Sequence, residues 1–168
     1  MNITTQPITR LSPVPDLPAV TGDARVDAAA LCEAVLRARP AWRLGAQGPG
    51  AFDCWGMLAL LQKHLFGREV EIMIPRASMS RAAILRAFGG EGFEQAHVQW
   101  RRREGPPQHG DGVLMSHKQT PHHCGTWLDL NRGVVAHHAE HAGFSLDGVQ
   151  ALRLSGYTNL TFYEWVEG

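Results

Sequence analysis

A chain of 168 residues, 44% of them apolar, is long enough to enclose one ordinary hydrophobic core, and we expect a single globular domain. Sixteen basic residues balance sixteen acidic ones, so no global charge favours a nucleic acid as partner; the one basic run, Arg101 to Arg103, reads as a solvated strand end. Three widely spaced cysteines make no disulfide framework, no stretch approaches the roughly 18 apolar residues of a membrane span, and Met1 to Val20 has no apolar signal core, so cytoplasmic synthesis without a signal peptide is expected.

Residues 2 to 18 hold four of the ten prolines among polar residues. We read residues 1–20 as an extended arm for docking to a partner or a second copy of the chain, and residues 21–168 as the folded domain. From Asp23 to Arg39 the spacing of Ala28, Leu31, Val35 and Ala38 predicts an amphipathic helix, stopped before Pro40. Gly45 to Gly50 is a loop. A second helix follows over Cys54 to Phe66, where Met57, Leu58, Leu61 and Leu65 recur at helical spacing, Asp53 is placed to cap the start and Gly67 to stop the end. A short third helix is expected between Ser78 or Ser80 and Phe88, closed by Gly89-Gly90.

After that the texture changes to short, partly alternating runs: His97 to Trp100, Gly112 to Met115, His122 to Leu128, Val134 to His138, Val149 to Leu154 and Leu160 to Val166. Helices first and strands afterwards indicate an α+β architecture.

Cys54 falls in the first turn of its helix. A thiol attacks as thiolate, and a helix N-terminus is one of the places that lowers the cysteine pKa from about 8.5. The partner for such a nucleophile is a histidine, and two adjacent pairs lie downstream, His122-His123 and His137-His138. Strand alternation places His123 and Gly125 on one face and His122 and Cys124 on the other, which puts Cys124 on the far side. Only one histidine of each pair can face Cys54. Gly125, lacking a side chain, leaves room for substrate or for a close neighbouring strand. Cys32 reads as a small buried hydrophobe, and His64, His97, His109, His117 and His141 as surface or loop residues.

These residues resemble the NlpC-type papain-like cysteine peptidases, in particular the versions encoded with phage and prophage tail genes. The resemblance covers about Pro40 to Trp165. It rests on Gly-Pro-Gly-Ala-Phe-Asp-Cys-Trp-Gly at 48 to 56, Gly-Asp-Gly-Val-Leu-Met at 110 to 115, His-Cys-Gly at 123 to 125 and Gly-Val-Val-Ala-His-His at 133 to 138. It implies a papain-like fold, helices packed on a central antiparallel sheet, with Cys54 as nucleophile, His123 as base and His137 as the residue that orients the base; His138 is the competitor for that last role. Trp42, Asp53 and Trp55 are candidates for the oxyanion site or the cleft wall, Trp42 standing where many cell-wall members carry a Tyr. The implied substrate is a peptidoglycan stem peptide and the implied setting a phage tail that meets the cell wall, with other tail proteins as partners. A Cys-His hydrolase needs no metal or cofactor, and none is expected. Two other readings stay open, a silent tail-assembly protein that keeps the fold, and a zinc-binding protein built from the many histidines and cysteines.

Overall fold

The computed structural model describes residues 16–70, 99–118 and 120–166. Two helices lead: α1 over Ala24–Ala38 and α2 over Cys54–Phe66. Between them the two-residue strands β1 (Ala41–Trp42) and β2 (Ala51–Phe52) pair in parallel. Then come β3 (Trp100–Arg102), β4 (Gly112–His117), β5 (Thr120–Leu128), β6 (Val134–Ala139), β7 (Gly143–Asp147), helix α3 (Val149–Leu154) and β8 (Asn159–Trp165). These six longer strands form one antiparallel sheet in the order β3-β8-β4-β5-β6-β7. The fold class is therefore α+β, compatible with a papain-like arrangement.

Local signals explain both long helices. The Asp23 carboxylate accepts from the N–H groups of Arg25 and Val26, and α1 ends at Arg39 in the left-handed conformation. Asp53 accepts from the Gly56 N–H at 2.7 Å, while Gly67, at φ 66°, closes α2 with its N–H turned back on the last turn. Strand alternation then divides the core between the two faces of the sheet. Leu128, Val134, Ala136 and Phe144 meet Ala28, Leu31 and Val35 of α1 and Met57, Leu60 and Leu61 of α2. On the other face Val113, Met115, Trp127 and Val135 meet Leu152 of α3. Each fully buried Leu or Met contributes about 1.5–3 kcal/mol by leaving water.

Buried polar groups set how α2 sits on the sheet. Gln62 is fully buried; its amide donates to the Gly110 carbonyl at 3.0 Å and to Thr126 Oγ1 at 3.3 Å, while its own oxygen accepts from Arg68 at 2.9 Å. The Gly110-Asp111-Gly112 run is explained by the same crowding. Gly110 has φ 88° and a Cβ there would come within 2.9 Å of Phe66, whereas one on Gly112 would come within 3.1 Å of Trp100.

Several expectations change. Val149 to Leu154 is a helix and not a strand: Val149 and Leu152 pack inward three residues apart, and six residues are too few for periodicity to separate the two cases. Strand β7 went unforeseen because its alternating Phe144, Ser145, Leu146 and Asp147 occupy only five residues. Arg103 is not a solvated strand end, since its side chain is 13% exposed and forks onto Asp111, with Glu164 at 3.2 Å. The helix expected over Ser78 to Phe88, and His97, lie outside the described residues. At the end of the N-terminal segment, Leu17 packs against the α1–α2 core and the Pro18 carbonyl lies 2.9 Å from His64 Nε2.

Candidate active site

The site begins with the turn that presents Cys54. Asp53 ties the first turn of α2 to the preceding loop, because its carboxylate also accepts from the Gly45 N–H at 2.7 Å and its own N–H donates to the Ala46 carbonyl at 2.9 Å. Burial pushes its carboxyl above the usual range, and the N–H groups of Gly56 and Gly45 pull it back. Gly56 is required here: a Cβ would run into the Ala46 carbonyl and prevent the loop from lying on the helix. Cys54 thus starts α2, 9% exposed, at the floor of a cleft of about 830 Å³.

The opposite wall comes from the sheet. The β5–β6 ladder runs from Leu128↔Val134 to Gly125↔His137 and stops there, although both strands continue. At that last rung the strands are pressed together, since a Cβ on Gly125 would lie 2.6 Å from Val135 Cγ1, 2.7 Å from the Ala136 carbonyl and 3.0 Å from His137 Cβ. Of the two uses foreseen for Gly125, the close neighbouring strand is the one observed. His123 and His137 stand on the same face, and His123 Nε2 lies 2.9 Å from His137 Nδ1. His137 Nε2 in turn lies 2.9 Å from Asp147 Oδ2 and 3.1 Å from Ser145 Oγ. Cys54, His123, His137, Ser145 and Asp147 line one cleft.

Electrostatics favours neutral rings. Burial, followed by the neighbouring His137, holds His123 well below the usual histidine range. Burial also lowers His137, with the Asp147 hydrogen bond and charge acting against it. Tyr157 lies flat against His123, ring centroids 5.4 Å apart and planes 18° from parallel, and stacks also on His117 and His122. Burial raises the Tyr157 hydroxyl above its ordinary value, which keeps it protonated.

The other foreseen residues sort as follows. His138 is fully buried on the α2 face, away from His123. Trp42 is half-buried in the cleft wall, whereas Trp55 is packed into the core with Leu58 and Leu114. Cys124 is not on the far side from Cys54. It faces α2, in the same apolar cluster as Cys54 and within hydrogen-bonding reach of its sulfur. His122 also departs from simple alternation: the β4–β5 register shifts between Met115 and Ser116, with His123 opposite Met115 and Pro121 opposite Ser116, and His122 turns to the cleft beside His117 and Tyr157. His117 and His141 line the cleft as well. Tyr157, Ser145 and Asp147 were missed; the only signal was the polar pair Ser145 and Asp147 at alternate positions of a short apolar run. Among the described residues no three His, Cys, Asp or Glu side chains converge as a metal-holding group, and no helix is long and apolar enough to cross a membrane.

Comparison with curated proteins returns no match. The NlpC/P60 family model matches residues 39–161, from just before β1 into the start of β8, and so spans α2, β5, β6 and the whole cleft. With nearly three-quarters of its length matched, the chain belongs to the NlpC/P60 family, whose members are cysteine peptidases and amidases.

Proposed function

We propose that this protein is a cysteine hydrolase that cuts an amide bond in the peptide stem of the bacterial cell wall, with Cys54 as nucleophile, His123 as base and His137 as the group that orients it. The observation that carries the reading is the bonded His123–His137 pair in the cleft where Cys54 opens α2. In the first half-reaction the Cys54 thiol gives its proton to His123 as sulfur bonds to the carbonyl carbon. The C–N bond then breaks, and His123 passes that proton to the leaving amine. Water next attacks the thioester, His123 takes a proton from it, and the Cys54 thiol is restored as the acid leaves. The positive end of α2 and the first-turn N–H groups oppose the charge that develops on the carbonyl oxygen, with the Trp42 indole N–H as a further donor.

Family membership supports a cell-wall peptide as the substrate class. Purified muropeptides incubated with the wild type and with Cys54→Ala, followed by mass analysis, test the reading. Fragments that appear with the wild type and not with Cys54→Ala are expected; equal products from both, or none from the wild type, overturn it. The finer reading, a phage or prophage tail component acting at the wall, rests on the sequence resemblance of the loop before Cys54 and of the closing stretch Leu160 to Trp165. Mass spectrometry of purified tail particles tests that placement, and absence of the chain from them ends it.

A further inference from the structure

We propose that Asp147, helped by Ser145, is a positioning residue that sets the proton on both histidines and leaves His123 Nδ1 bare, facing away from its bond to His137. The proposal rests on the hydrolase reading for its consequence in catalysis, but its geometry stands by itself. A carboxylate offers only acceptors. With Asp147 Oδ2 at 2.9 Å, His137 Nε2 must carry a hydrogen, because two lone pairs at that distance repel. Ser145 Oγ donates to the same Asp147 oxygen at 2.9 Å, so its own lone pairs are turned to share the His137 Nε2–H at 3.1 Å.

The consequence passes along the ring. A neutral imidazole carries one N–H, so His137 Nδ1 is an acceptor, and the hydrogen in the 2.9 Å contact belongs to His123 Nε2. His123 Nδ1 then holds a lone pair, the form a base needs. Three hydrogen bonds on adjacent strands therefore fix a tautomer two residues away from the carboxylate. The arrangement also survives protonation of His123, because the imidazolium still donates from Nε2 to His137. It is built on a strand: His137 and Ser145 are cross-strand partners on β6 and β7, and Asp147 lies one step along the same face.

The test is the tautomer itself, read by NMR of protein labelled with ¹⁵N-histidine, in the wild type, Asp147→Asn and Ser145→Ala. In the wild type both His123 and His137 should be Nε2–H tautomers. Asp147→Asn brings an amide N–H that donates to His137 Nε2, and both rings should shift towards Nδ1–H, with kcat on muropeptides falling by a factor on the order of 10² or more and KM little changed. Ser145→Ala should keep the wild-type tautomers with a smaller loss. A wild-type His123 that carries its hydrogen on Nδ1, or an Asp147→Asn protein with unchanged tautomers, overturns the proposal. Asp147 is 36% exposed and the Asn swap is close to isosteric, so folding is not the variable. A protein that cleaves no muropeptide yet shows these tautomers and their shift sinks the hydrolase reading and leaves the positioning role intact.

Discussion

His123 Nε2 and His137 Nδ1 meet at 2.9 Å across two strands whose ladder has just ended, with the second ring nitrogen of His137 held by Asp147. The two rings are nearly perpendicular, at 83°, so the contact runs edge-on from one imidazole to the other. This arrangement separates histidines that the sequence presents as equivalent neighbours.

Substitutions should therefore split by face. His123→Ala and His137→Ala are expected to lower turnover on muropeptides by factors on the order of 10² to 10⁴ with modest effects on melting. His138→Ala should do the reverse, since a fully buried ring is lost from the α2 face: a stability loss on the order of 1–3 kcal/mol with kcat largely kept in the folded fraction. His122→Ala, at the cleft edge, should act mainly on KM. Steady-state kinetics and thermal melts on the same samples check the split.

Limiting iodoacetamide should label Cys54 before the other two thiols. Burial pushes Cys32 up to about 12 and raises Cys124 well above its ordinary value, and both are shut off from reagent. Peptide mapping of the folded protein after short exposure reads the order. Faster modification of Cys32 or Cys124 would remove the case for Cys54 as nucleophile.

Much of the helical scaffold was legible because its signals are local. Asp53, the apolar spacing through Leu65 and Gly67 together define α2 within 15 residues of chain, and the structure has it over Cys54–Phe66. Alternation likewise put His123 and Gly125 on one side of β5. It failed for Cys124 and His122, because sharing a sheet face is not the same as sharing a cleft. Cys54 reaches the cleft from the helix side of the sheet, which places Cys124 beside it, and the bulge opposite Met115 and Ser116 frees His122 from the pattern. Asp147 was illegible for another reason: its partner lies on a neighbouring strand, and no spacing along the chain records that.

Stability should fall on acidification below about pH 6.5. His109, His123, His137 and His138 all have pKa values lowered from 6.5 by burial, so between their folded values and 6.5 the unfolded chain binds more protons. Stability then rises with pH across that window: the contribution of these rings is complete above about 6.5 and is lost as pH falls towards their folded values. Urea denaturation between pH 5 and 8 follows it, and His138→Gln should flatten the curve.

Gly125→Ala should damage structure and activity together. Its methyl would lie 2.6 Å from Val135 Cγ1 and 2.7 Å from a backbone carbonyl, distances that only separation of β5 and β6 relieves. A cost of about 1–3 kcal/mol is expected from overpacking, with a further loss of kcat as the His123–His137 contact widens. Melting temperature and kcat measured together check both effects.

The hairpin that joins β5 to β6 turns through Asn131, Arg132 and Gly133, three consecutive residues with positive φ, and the Trp127 ring occupies the place a Cβ on Gly133 would take. From there the ladder counts four rungs, the first and last roughly 10 Å apart, ending at Gly125↔His137. A slip of one residue would seat His138 opposite Gly125 in one direction and Ala136 in the other, and either would swing His137 to the helix side. The turn is thus the ruler by which the reactive mouth is measured: a bend with no chemical group in the cleft decides which imidazole arrives there, and an error made at it would invert both faces of β6 and leave the mouth without its second ring.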